Sequence, residues 1–234
     1  MIKRVWLISI LVIASFQIQA QDTLQSNFSL NADLVSRYVW RGQLLSAAPN
    51  IQPYASISAG QFTFGTWGSY AIGEKYEEIN FYISWEYQNF GFSVNDYCTI
   101  SDISEESTYF NTKKLTTPHS LEGTFTFKLS ERFPLKLTAA TFFYGNDLNE
   151  SGENFNSTYI ELAYPISKRD YDFNFFAGGT PAEGLYGSKA GLVNVGMSAS
   201  KMLKFSENFG IPASVQLSAN PLAENMYLVF SLTL

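Results

Sequence analysis

Cysteine and histidine are almost absent: the 234 residues hold one of each, Cys98 and His119. A single thiol excludes an internal disulfide, and one cysteine with one histidine excludes a conventional zinc or iron site. Basic side chains are scarce as well, 15 Lys and Arg against 21 Asp and Glu. An acidic chain with scattered cations is a poor nucleic-acid binder, so no nucleic-acid partner is expected. Beyond residue 20 no apolar run approaches the roughly eighteen residues of a transmembrane helix. No stretch has a convincing helical period, and no Pro/Gly/Ser-rich linker divides the chain.

What is present starts with residues 1–20, which read as a secretory signal. Lys3 and Arg4 form a basic n-region, Val5 to Phe16 an apolar core, and Ala20 a small residue at the cleavage point. The alternative is an uncleaved anchor, but the apolar core falls short of the ~20 residues a helical span needs. A lipid-anchored protein would carry cysteine at position 21, which is Gln21. Residues 21–234 are expected to form one domain, with 13 basic and 21 acidic side chains once Lys3 and Arg4 are removed.

Aromatic residues are abundant, with 20 Phe and 14 Tyr. A soluble core of this size would struggle to hold them, whereas transmembrane barrels place aromatics in girdles at the two lipid interfaces. The dominant sequence pattern has period two, the mark of strands with one apolar and one polar face. In Phe28–Leu34 the apolar set is 28, 30, 32 and 34, with Asn31 and Asp33 on the other face. The same alternation recurs at Ile51–Ala59, Phe62–Tyr70, Ile79–Tyr87, Phe90–Tyr97, Leu121–Leu129 and Leu135–Tyr144. It continues at Ser157–Tyr164, Tyr171–Ala177, Leu192–Leu203, Ile211–Ala219 and Met226–Leu234. The expectation is an all-β fold, a single antiparallel transmembrane β-barrel of about twelve strands, with ten or fourteen as neighbouring counts.

Connection lengths carry a second signal. Long links (42–50, 72–78, 99–119, 145–156, 178–191) alternate with short ones (60–61, 88–89, 130–134, 165–170, 204–210). Outer-membrane barrels have long outer loops and short periplasmic turns, so both termini are expected to be periplasmic. The bacterial outer membrane is the expected location and its lipid the expected surroundings. The last strand, ending at Leu234 rather than at the usual aromatic, would be read by the barrel-assembly machinery.

Ser36-Arg37-Tyr38-Val39-Trp40-Arg41-Gly42, followed by Pro49-Asn50-Ile51-Gln52-Pro53, resembles a motif of the Gcw-chp or TorF family of bacterial outer-membrane proteins. The likeness continues at Gly65-Thr66-Trp67-Gly68-Ser69, Glu78–Tyr82, Asn194-Val195-Gly196, Lys201 and Asn220-Pro221, and so covers nearly the whole mature chain. Gln43-Leu44-Leu45-Ser46 departs from it, where a more polar loop is the rule. The resemblance implies a barrel in the outer membrane and supplies no activity.

Continuing the first strand's alternation past Leu34 puts Tyr38 and Trp40 on the lipid side, as girdle residues near the outer rim beside Gly42 and Trp67 of the motif. The same alternation turns Asp33, Arg37 and Arg41 into the lumen, together with Glu86, Glu122, Lys128, Lys136, Glu161 and Asp172. Two readings follow. These charges neutralise one another across the lumen, or Arg37 and Arg41 form a constriction for small anions. Bulky inward residues (Tyr54, Trp67, Tyr82, Phe142, Tyr144, Tyr159) would keep any channel narrow.

Catalysis has little support, and no catalytic residue is assigned. Adjacent residues on a strand face opposite ways, so His119 and Ser120 are no dyad, although His119 could still pair with a distant serine such as Ser69 or Ser84. Asn146–Glu150 with Gly152 offers hard oxygen ligands without the spacing of a calcium loop, and an acidic surface loop explains it equally. No metal or cofactor is expected. Three functions remain: a narrow pore or small-solute transport protein, an interaction or structural barrel acting through its outer loops, and a membrane-embedded lipid-modifying enzyme.

Overall fold

The protein, seen in a computed structural model, is described over residues 26–100 and 108–234, so the expected signal at 1–20 lies outside the described residues. It contains β1 (Ser26–Val35), β2 (Tyr38–Trp40), β3 (Gln43–Ser46), β4 (Asn50–Ala59), β5 (Phe62–Ala71), β6 (Glu77–Tyr87) and β7 (Phe90–Thr99). After these come β8 (His119–Lys128), β9 (Lys136–Gly145), β10 (Thr158–Lys168), β11 (Tyr171–Thr180), β12 (Gly191–Lys204), β13 (Gly210–Asn220) and β14 (Asn225–Thr233). Twelve of them close into one antiparallel barrel in sequence order, while β2 and β3 pair only with each other. The strand count and the all-β class agree with the alternation in the sequence. No helix among the described residues is long and apolar enough to cross a membrane.

Alternation sorts each strand as a two-faced wall requires. On β14, Leu228, Phe230 and Leu232 are exposed on the outer surface, while Val229, Ser231 and Thr233 face in and are partly covered. Phe28, Leu30, Ile57, Phe62, Phe64, Ile83 and Phe92 extend the same apolar outer surface around the barrel. The seam is short: β1 matches β4 over ten residue pairs but β14 over only three, Asp33–Val35 against Ser231–Thr233. Bonds between Ala32 and Leu234 in both directions, at 3.2 and 2.8 Å, lengthen it slightly.

The interior divides into two halves. Near the chain termini many inward positions are small and polar, with hydroxyl pairs such as Ser58–Thr63 at 2.8 Å and Ser214–Ser231 at 2.6 Å. Near the long loops the lumen is filled. Phe142, Tyr159, Tyr186 and Val193 form a buried cluster there, with Trp40, Tyr97 and Leu222 packed against it.

Candidate functional site

The filled half is built around the β2–β3 hairpin. The chain leaves the barrel wall at Ser36, where its N–H bonds the Phe230 carbonyl at 2.9 Å and its hydroxyl accepts from the Phe230 N–H at 3.0 Å. From there it bends inward. Trp40 pairs with Gln43 across a two-residue turn, Arg41-Gly42, with φ of 49° and 77°. Positive φ at both central positions is the geometry of the tight hairpin turn that favours glycine second. Gly42 is needed for a further reason: a Cβ there would sit 1.8 Å from the Val193 carbonyl oxygen of β12. The tip is thus seated against β12 and β13, where Asn220 donates to the Gly42 carbonyl at 3.1 Å.

From this tip Arg41 reaches Glu122 of β8, with Nη1–Oε2 at 2.5 Å and Nη2–Oε1 at 3.0 Å. Around the barrel β8 lies four strand positions from β12, against which the tip is seated, so the pair ties the hairpin to a separate part of the wall. Glu122 is fully buried and also accepts from Thr124 at 2.7 Å and Tyr97 at 3.2 Å. Arg41 donates to the Tyr186 hydroxyl as well, and its guanidinium lies 4.5 Å from the Trp40 ring centre and 4.8 Å from that of Tyr159. Such a two-pronged, ring-flanked guanidinium is how an arginine charge tolerates burial. Tyr186 comes from the β11–β12 connection, and burial holds its hydroxyl above the ordinary tyrosine range.

Smaller networks brace the plug. Asn194 donates to Tyr159 at 3.0 Å and to Glu161 at 3.1 Å, and accepts from Ser218 at 2.7 Å. Asn50 donates to Ser46 of the hairpin at 3.0 Å and accepts from Ser69 at 3.0 Å. Gly178 on β11 leaves room for Tyr159, whose hydroxyl would lie 2.2 Å from a Cβ at that position. Beyond the hairpin, towards the long loops, a cavity of about 300 Å³ has Trp40, Tyr97, Phe142, Glu78 and Ser120 among its lining.

The residues singled out from sequence fall into three groups. Arg41, Glu122 and Glu161 meet in the filled half. Asp33 accepts from Thr233 at 2.6 Å, while Arg37 faces a separate cavity of about 180 Å³. Glu86 and Lys136 are exposed near the terminus end, Lys136 opposite Lys128, which itself bridges to Glu131 at 2.6 Å. Mutual neutralisation across the lumen therefore reduces, among the described residues, to the single pair Arg41–Glu122.

The placement of Tyr38 and Trp40 on the lipid side is corrected. Tyr38 is buried, its ring 5.3 Å from Trp67 and 5.9 Å from Tyr76, and Trp40 lies against Tyr97 at 5.5 Å and Tyr186 at 5.8 Å. The reason is the bend at Ser36-Arg37: once the chain leaves the wall, strand parity no longer says which side is lipid. Trp67 faces in. Sequence reasoning also missed Tyr186, Tyr97 and Asn194. Alternation alone would have turned Tyr97 and Asn194 inward, whereas Tyr186, in a loop, carries no periodic signal.

Among the described residues His119 meets no serine. One ring nitrogen lies 2.9 Å from Asp96 and the other 2.6 Å from the Tyr109 carbonyl, while Ser120 lines the inner cavity on the opposite face. In the acidic loop, Asp147 accepts from Ser157 N–H at 2.8 Å and hydroxyl at 2.6 Å, and Asn149 accepts from the backbone of Ser151 and Glu153. These oxygens close the loop on itself.

Neither a family model nor a curated protein matches this chain. Fold and site alone define the class: a closed twelve-stranded antiparallel barrel, apolar outside, with an inward hairpin crossing one half of its lumen.

Proposed function

We propose that the protein is an outer-membrane β-barrel handling small solutes through a lumen that the β2–β3 hairpin holds shut. The apolar outer surface supports a lipid surrounding, and the sorting of long and short connections to opposite ends supports periplasmic termini. The observation that carries the transport reading is the division of the lumen. Its terminus half carries hydroxyls, amides and the charged Glu86, Lys128 and Lys136, and ends on a plug that contains the Arg41–Glu122 ion pair. The motif resembling the Gcw-chp or TorF family forms that plug, and membership of that family is part of the proposal.

A closed interaction barrel is the second reading, favoured by the full packing of Phe142, Tyr159, Tyr186 and Val193. The lipid-modifying enzyme has less support, since both His119 ring nitrogens are engaged, by Asp96 and the Tyr109 carbonyl. Swelling of liposomes holding the refolded mature chain separates the first two. Replacing residues 38–46 by a short Gly/Ser linker should speed the entry of small sugars several-fold over the wild type. A folded, linker-bearing barrel no leakier than wild type would sink the transport reading.

A further inference from the structure

We propose that Arg37 anchors a binding site for a small oxyanion, a carboxylate or a phosphate, inside the barrel. As an assignment of solute class this rests on the transport reading; as a binding site it does not. Arg37 follows the Ser36 bend, whose two bonds to Phe230 fix where its side chain starts. Among the described residues its guanidinium has no ion pair, and its Nε is buried with no hydrogen-bond partner. Buried polar atoms nearly always have partners, and an uncompensated charge in a confined lumen is costly. A negatively charged group would satisfy both the Nε–H and the unpaired guanidinium charge.

The surroundings specify its chemistry. The cavity of about 180 Å³ beside Arg37 is lined by Tyr38, Gln52, Ser214, Gln216 and Ser231 as its other polar residues, and among the described residues no carboxylate lines it. At ~30 Å³ of liquid volume per water, that is space for an oxyanion and a few waters. The guanidinium edge offers parallel N–H groups matched to two oxygens of one carboxylate or phosphate. Ser214 and Ser231 are bonded to each other at 2.6 Å and Gln216 has no side-chain partner, so donors remain for further oxygens. Asp33, the acid on the neighbouring wall, is held by Thr233 at 2.6 Å. The two arginines of the motif thus divide the work: Arg41 is spent on Glu122, and Arg37 is free for a solute.

The test is calorimetric titration of the refolded mature chain in detergent, at constant ionic strength, with inorganic phosphate and separately with acetate. Saturable binding of one anion per barrel is expected, weakened at least tenfold by Arg37→Gln and less by Arg37→Lys, which keeps the charge but not the paired N–H edge. The arm that binds more tightly names the source of the oxyanion. No saturable heat with either anion on the wild type overturns the proposal even if Arg37→Gln fails to fold, and so does undiminished binding by a folded Arg37→Gln. Binding by a barrel whose linker variant stays impermeable supports the site and overturns only the transport reading.

Discussion

Arg41 and Glu122 mark how far a sequence reads single residues. Alternation turns Glu122 inward on its strand, and it is fully buried there. Arg41 also ends up in the lumen, but by a route that alternation does not describe, from the tip of an inward hairpin. Removing one member of a buried ion pair strands the other charge, so Glu122→Ala should lose about 3–5 kcal/mol in urea unfolding of the refolded barrel. The double change Arg41→Met with Glu122→Leu should recover most of that loss, since an apolar pair of similar volume often matches a buried ion pair. Equal losses in the single and double variants would mean that the charges do not depend on each other. Gly42→Ala forces a Cβ into positive φ and onto the Val193 carbonyl. A loss of at least about 1–3 kcal/mol is expected, and an unchanged unfolding midpoint would show that the tip is not seated on β12.

Strands were legible because a two-faced wall imposes period two over ten residues at a time, and because turns separate the runs. The β2–β3 hairpin was not. Each of its strands is only three or four residues long, too short for period to show, and the apolar Tyr38-Val39-Trp40 run reads as a continuation of β1. Its turn, Arg41-Gly42 between Trp40 and Gln43, was the available signal. Wall elements also differ in how well they are joined. The β1–β14 seam relies on Ser231–Thr233 and Leu234. Deleting residues 231–234 should prevent closure, seen as loss of the heat-dependent gel shift that marks a folded barrel. A truncated chain that kept the shift would show that the seam re-forms in another register.

Across the whole molecule, composition and connection lengths told of a barrel, and the abundance of aromatics has two destinations rather than one. Phe28, Phe62, Phe64 and Phe92 lie on the outer surface, as girdles and a lipid-facing belt would require. Trp40, Tyr97, Phe142, Tyr159 and Tyr186 instead fill the lumen. Composition cannot separate these two uses, since the same rings serve a belt and a plug. A lumen filled at one end by the β2–β3 hairpin and its packed rings, and lined by polar and charged groups at the other, makes the central claim a matter of current. The direct measurement is planar-bilayer conductance of the refolded mature chain beside the variant in which a short Gly/Ser linker replaces residues 38–46. Near silence in the wild type with discrete current steps in the variant is the predicted result. Steady current in the wild type, or silence in both folded proteins, would contradict a lumen held shut by the β2–β3 hairpin.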